Sequence, residues 1–132
     1  MRILILEDDD ELAIAWQLGL EQEGHFVQRI AAAADAIELV GTGHFDMVIT
    51  DVLIRESRER FSPEGGLSLL GHIDLHIEPK PVTIAVTGAA IGTSLLTIAQ
   101  QLRCDLALRK PVSIPQLVST VEELWMNSDE RS

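Results

Sequence analysis

Cysteine is almost absent: Cys104 is the single thiol in 132 residues. An internal disulfide is therefore excluded. In its apolar stretch Cys104 is expected to be a buried, inert thiol rather than a reactive one. Aromatic residues are scarce, at 4% of the chain. Trp16 and Trp125 fall in apolar helical patterns and are expected to pack on helix faces, not to stack on bases. Cations are few as well. Ten Lys and Arg stand against 21 Asp and Glu, leaving a formal net charge of −11. Such a chain lacks the clustered basic groups that replace counterions on nucleic acid, and it would be repelled by an anionic membrane. No apolar run approaches membrane-spanning length. The N-terminal run Ile3-Leu4-Ile5-Leu6 is too short for the core of a signal peptide and is followed at once by acids. A cytoplasmic protein is expected, with no direct contact to nucleic acid or membrane.

What is present is a pattern. Apolar residues make up 46% of the chain, enough for one sizeable core. Short, continuous apolar runs alternate with helical periodicity. Residues 3–6 read as a strand buried on both faces. Asp9 or Asp10 can cap the helix that follows, which carries Leu12, Ala15, Trp16, Leu18 and Leu20 and ends near Gly24. Strands are predicted at 25–30, 47–51, 82–86 and 106–108. Further helices are predicted at 33–40, 67–77, 93–102 and, capped by Ser113, up to about residue 126. The polar segment 55–66 reads as an extended loop, and 127–132 as a polar C-terminal tail. Strands alternating with helices imply parallel pairing through right-handed crossovers, hence an α/β fold with a doubly wound five-stranded parallel sheet and five helices. Ligands of such folds sit at the carboxyl ends of the strands.

The predicted strand ends are chemically coherent. The first ends in Glu7-Asp8-Asp9-Asp10, the third in Asp51, the fourth in Thr87-Gly88 and the fifth in Arg109-Lys110-Pro111. Carboxylates held close together repel and so favour a divalent cation between them. Mg²⁺ suits an all-oxygen set. A carboxylate beside it can attack phosphorus and form an aspartyl-phosphate. A lysine and a hydroxyl are suitable partners for the charge on a transferring phosphoryl group, and Gly88 and Ala89 leave room for it.

These motifs resemble the receiver domains of two-component response regulators, the flavodoxin-like family that includes the chemotaxis response regulator. The resemblance rests on residues 3–9, 45–51, 84–89 and 108–111, and it covers nearly the whole chain. It implies the strand order 2-1-3-4-5, a receiver domain over 1–126 and a short tail over 127–132. It further implies a Mg²⁺ site made by Glu7, Asp8, Asp51 and the backbone carbonyl of Leu53, with Asp8 binding directly and Glu7 through water. Asp9 and Asp10 read instead as capping and solvated acids. By the same resemblance Asp51 is the phosphoacceptor, Thr87 the hydroxyl that contacts the phosphoryl group, Lys110 its cationic partner, and Lys110–Pro111 a cis peptide. The implied donor is a sensor histidine kinase or a histidine phosphotransfer protein. The implied output is altered binding of an unknown downstream protein at the face of the fourth helix, fifth strand and fifth helix. That makes the domain a switch rather than a turnover enzyme. The length leaves no room for an output domain, so a stand-alone or excised receiver is expected.

The chain departs from the family in three places. The segment after Asp51 is about six residues longer than usual and lacks the common Met-Pro. Ala107 stands where the family has Tyr, Phe or His, three residues before the lysine, so the resemblance does not extend to coupling between Thr87 and an aromatic switch. Leu53 and Ala89, two residues after Asp51 and Thr87, cannot orient an attacking water, and slow autodephosphorylation is expected. Two rival readings follow from other chemistry. One is a phosphorylation-independent interaction module on the same fold. The other is a dehalogenase-like phosphatase built on Asp8 and Asp10, which would leave Asp51 without a role. His72 and His76, spaced i, i+4, have no third ligand nearby in sequence and read as solvent-facing.

Overall fold

The computed structural model describes residues 1–52, 54–57, 60–62, 65–88 and 95–128. Its elements run β1 (Arg2–Leu6), α1 (Asp10–Gln22), β2 (Phe26–Ile30), α2 (Ala33–Thr42), β3 (Met47–Asp51), β4 (Ile54–Ser57), β5 (Arg60–Ser62), α3 (Gly65–His76), β6 (Val82–Thr87), α4 (Leu95–Leu102), β7 (Leu106–Arg109) and α5 (Ile114–Ser128). Five strands form one parallel sheet in the order β2-β1-β3-β6-β7. This is the expected order 2-1-3-4-5 with its five helices.

The two-residue period of the strands explains the two cores. Ile3 and Ile5 of β1, with Met47 and Ile49 of β3, face Trp16 and Leu20 of α1 and Leu117 and Val121 of α5. Leu4 and Leu6, with Val48, face Ala36 and Val40 of α2 and Leu69 and Ile73 of α3. Because both faces are covered, β3 and β6 are buried along their whole length. Polar residues can therefore sit in these strands only where they are paired, or at the ends.

Helix ends follow from local chemistry. Asp9 is the N-cap of α1, its carboxylate accepting from the Leu12 N–H at 3.1 Å. Ser113 caps α5, its hydroxyl accepting from Gln116 N–H at 3.2 Å. That helix runs two residues past the expected 126, to Ser128.

Two expectations need correction. Part of the segment read as an extended loop forms an antiparallel hairpin, with Ile54 opposite Ser62 and Arg55 opposite Phe61. Its sign-alternating sequence carries little apolar periodicity, so the strand signal was hidden. Leu18, counted among the apolar residues of the first helix, is 55% exposed. It lies off the stripe of Ala13, Trp16 and Leu20, and close packing there is provided by Gly19. A Cβ at Gly19 would run into the Ile114 side chain of α5.

Candidate functional site: an acidic crevice bridged by a lysine

The carboxyl ends of β1, β3, β6 and β7 bring Glu7, Asp8, Asp51, Thr87 and Lys110 to one edge of the sheet. The register accounts for this. Leu6 lies opposite Thr50, Asp51 opposite Val86, and Thr87 opposite Arg109, so each chemically active residue leaves its strand at nearly the same level.

Carboxylate oxygens of Glu7, Asp8 and Asp51 all lie within 4.8 Å of one another. Glu7 is fully buried and Asp51 is 5% exposed, while Asp8 is half-buried and forms the open side. Lys110 reaches in from beyond β7. Its Nζ donates to Glu7 Oε1 at 2.9 Å and to Asp51 Oδ2 at 2.8 Å. Lys110 is itself positioned by its N–H, which donates to the Thr87 carbonyl at 2.8 Å, and the Lys110–Pro111 peptide is cis. Thr87 is 7% exposed at the end of β6.

The electrostatics follow from burial. Loss of solvent pushes the Glu7 carboxyl up to about 7. The Lys110 hydrogen bond opposes that rise, and the neighbouring Asp51 charge adds to it. For Lys110 burial alone would lower the ammonium's pKa. Its hydrogen bonds to Asp51 and Glu7 more than offset this and hold it above the ordinary lysine value. The crevice therefore has three acids and, among its described residues, one ammonium shared by the two most buried of them. A set of oxygen donors with one open side matches what Mg²⁺ takes, one or two carboxylates plus water. A divalent charge there would also offset burial and the Asp51 charge, the two causes that raise Glu7. Glu7, Asp8 and Asp51 would hold it. Leu53 and Ala89, singled out from sequence, lie outside the described residues.

Three contributors escaped the sequence reading. Arg29 of β2 donates from Nε to the Glu7 carbonyl at 2.9 Å, and its guanidinium lies 2.8 Å from Asp10 Oδ1. This fixes the acidic turn from outside. Nothing local marks Arg29 for the task, which arises from β2 lying beside β1. Gly66, at the start of α3, lies against the backbone of Asp51 and Val52, where a Cβ would overlap the Asp51 carbonyl oxygen. The Gly65-Gly66 pair ahead of a helix was the available signal. The third is the bridge itself, since sequence assigned Lys110 to a phosphate and not to Glu7. Elsewhere, His72 and His76 stack with ring centroids 5.1 Å apart, and no third ligand joins them among the described residues. Cys104 is half-buried rather than fully buried as expected, and burial pushes its thiol up, which disfavours the thiolate.

Comparison with known proteins agrees with this geometry. The response regulator receiver domain family matches residues 3–122, and the chain belongs to that family. It is 27% identical over 124 residues to the transcriptional regulatory protein PmrA of Pectobacterium parmentieri, covering 94% of this chain and 52% of that protein. It is 28% identical over 132 residues to the sensor kinase CckA of Brucella abortus, covering 96% of this chain and 13% of the kinase. The chain thus spans about half of the first relative and a small part of the second. Among solved structures, a CheY-like response regulator receiver domain protein from Methanospirillum hungatei superposes with a TM-score of 0.81 at 25% identity, covering 99% of this chain and 98% of that one. The receiver domain of a Francisella response regulator gives 0.80 at 20% identity, covering 96% and 98%. Among the described residues no helix is long and apolar enough to cross a membrane.

Proposed function

We propose that this receiver domain accepts a phosphoryl group on Asp51 from a phosphohistidine, in a reaction that needs Mg²⁺, and that the modified domain changes its binding of a downstream protein. The observation that carries the reading is the convergence of Glu7, Asp8 and Asp51 within 4.8 Å, with Lys110 bridging two of them. A receiver that served only as a binding surface would have no use for three repelling acids around a lysine. The donor is a sensor histidine kinase or a histidine phosphotransfer protein, and the setting is cytoplasmic. The domain acts as a switch, with one modification per molecule rather than turnover.

Bound Mg²⁺ would neutralise the carboxylates and draw charge from the phosphoryl oxygens. The remaining work falls to the chain. Asp51, at the end of a strand buried on both faces, is held with its carboxylate facing the crevice. One Asp51 oxygen attacks phosphorus, the P–N bond to the donor imidazole breaks, and its electron pair leaves on the ring nitrogen. Lys110 Nζ, already 2.8 Å from Asp51 Oδ2, transfers its hydrogen bond to a phosphoryl oxygen. Thr87, at the adjacent strand end, offers a hydroxyl to another. The product adds roughly −1.5 to −2 charges beside buried Glu7. Lys110 must then choose between Glu7 and the phosphoryl group, and that choice would be felt at the β6–α4 and β7–α5 connections.

Intact-mass measurement after incubation with Mg²⁺ and acetyl phosphate tests the proposal. A single phosphate adduct is expected, absent in Asp51→Asn and absent when the metal is chelated. Should acetyl phosphate fail, a phosphohistidine donor protein is the second arm. No adduct from either donor would leave a phosphorylation-independent interaction module as the reading.

A further inference from the structure

At the other end of the strands from Asp51 lies a second concave region. A cavity of about 220 Å³ and a wider one of about 670 Å³ share Phe45, Asp46, Glu78, Pro79 and Pro81, so they form one groove. The groove crosses the loops that lead into β3 and β6. Asp105 and Trp125 line its wider end, and His44 and His76 its narrower end.

Its charged lining is mainly acidic, with three carboxylates against the single ammonium of Lys80. Asp46, Glu78 and Asp105 supply three carboxylates. Two of these are fixed in place by strand-end hydrogen bonds: Asp46 Oδ2 accepts from Arg2 N–H at 2.7 Å, and Asp105 Oδ2 from Thr83 N–H at 2.8 Å. Glu78 is exposed. Trp125 is only partly buried, packing on the α1–α5 core with the rest of its indole at the groove. Prolines 79 and 81 give a floor of fixed shape. Lys80, which lines the wider end, and Arg2 beside it are held by other groups. Lys80 Nζ lies 3.1 Å from Asp74 Oδ1 and donates to the Arg103 carbonyl at 3.3 Å. The Arg2 guanidinium lies over the Phe26 and Phe45 rings, 4.5 and 5.4 Å from their centroids, and donates to the Gly43 carbonyl. Carboxylates beside a partly buried indole and rigid prolines are complementary to a guanidinium or ammonium on an alkyl stem.

We infer that this groove is a docking site for an arginine- or lysine-bearing segment of a partner protein, separate from the phosphoacceptor crevice. The two ends of β3, Met47 and Asp51, are roughly 13 Å apart at about 3.3 Å per residue. A partner held in the groove would therefore leave Asp51 open to its donor, and the domain could be tethered and phosphorylated at once.

The probe is an acetylated, amidated tetra-arginine peptide, added to ¹⁵N-labelled protein at low salt with Mg²⁺ saturating the acidic crevice. A tetra-glutamate peptide is the comparison. Amide shifts are expected to cluster at Asp46, Glu78, Val82, Asp105 and the Trp125 indole, and to be absent with tetra-glutamate. Glu78→Lys, an exposed change, is expected to weaken binding roughly five- to tenfold. Asp35→Lys, the same charge change in the first turn of α2, should leave binding nearly as it was. Equal weakening by both variants would mean general attraction to an acidic protein and would overturn the inference. Shifts confined to the Glu7–Asp8–Asp51 crevice, or no shifts at all, would overturn it too.

Discussion

Lys110 Nζ stands 2.8 Å from Asp51 Oδ2 and 2.9 Å from Glu7 Oε1, so one ammonium ties the end of β7 to the ends of both β1 and β3. The contact that would prepare Asp51 for the proposed phosphoryl transfer also ties three strand ends together in the unmodified domain.

Lys110→Ala should therefore act on stability as well as chemistry. With the ammonium gone, buried Glu7 and Asp51 lose the cation they share. Because the lysine is 28% exposed, the loss in metal-free protein is expected at about 1–3 kcal/mol, below that of a fully buried pair. Mg²⁺ should restore much of it, since the proposed metal would serve the same carboxylates as the lysine. Urea unfolding with and without Mg²⁺ measures both effects. Equal losses in the two conditions would contradict the shared-site argument.

Glu7 predicts a pH dependence. Its carboxyl is raised from 4.5 to about 7 by burial, against the pull of Lys110 and with the push of Asp51. The folded protein then binds more protons than the unfolded chain between those values, so stability falls as pH rises through this window. In Glu7→Gln the titrating group is gone. The variant should gain on the wild type from about pH 5 to about pH 7 and hold its advantage above that. Unfolding midpoints in a chelating buffer across this range show the trend. A constant difference would mean that Glu7 titrates near its ordinary value.

Gly66→Ala tests the support behind Asp51. The added methyl would overlap the Asp51 carbonyl oxygen and press on Val52 Cα. Both are backbone, and they yield less easily than the end of a flexible side chain. A destabilisation of about 1–3 kcal/mol is expected, together with a lower rate of Asp51 phosphorylation. Ala at Gly71, whose added Cβ would meet nothing within 4 Å, is the control and should be close to neutral.

The fold was readable because a parallel sheet covered on both faces leaves continuous apolar runs, and runs such as 3–6 and 47–49 lead into acids at the strand ends. The site was readable for the same reason, since chemistry gathers where strands stop. What could not be read depends on neighbours in space. Arg29 reaches Glu7 only because β2 lies alongside β1. The β4–β5 hairpin is stabilised by cross-strand pairing, which leaves no mark in a sequence of alternating charges. Leu18 differs from Leu20 only in helical phase, and two residues separate an exposed side chain from a buried one.

Leu53 and Ala89 carry a prediction from sequence alone. Neither side chain can orient a water toward the phosphorus, so the aspartyl-phosphate should be long-lived once the donor is removed. Leu53→Asn supplies a polar group that can position water and should speed dephosphorylation severalfold. The half-life of the mass adduct, wild type against variant, decides it. A wild-type half-life no longer than that of the variant would rule the explanation out.

Ala107 bears on how the signal leaves the site. It is 2% exposed on β7 and packs with Ala99 of α4, itself 5% exposed, alongside Leu102 and Cys104. Small residues on both sides let α4 lie close to the sheet, and no aromatic ring occupies position 107 that could swing between buried and exposed states. If α4 is seated this way in the working protein, Ala107→Phe will overpack the contact. The expected loss is about 1–3 kcal/mol, with amide shifts concentrated in α4. If α4 instead lifts readily, the ring will be accommodated at little cost, and unfolding will show a midpoint near that of the wild type. Repeating the comparison on phosphorylated protein separates the two cases further. A seated α4 that loosens on phosphorylation should tolerate the phenylalanine better when Asp51 is modified, so the destabilisation should shrink. A destabilisation unchanged by phosphorylation would place the output away from this face and leave the β6–α4 connection, rather than β7, to carry the change.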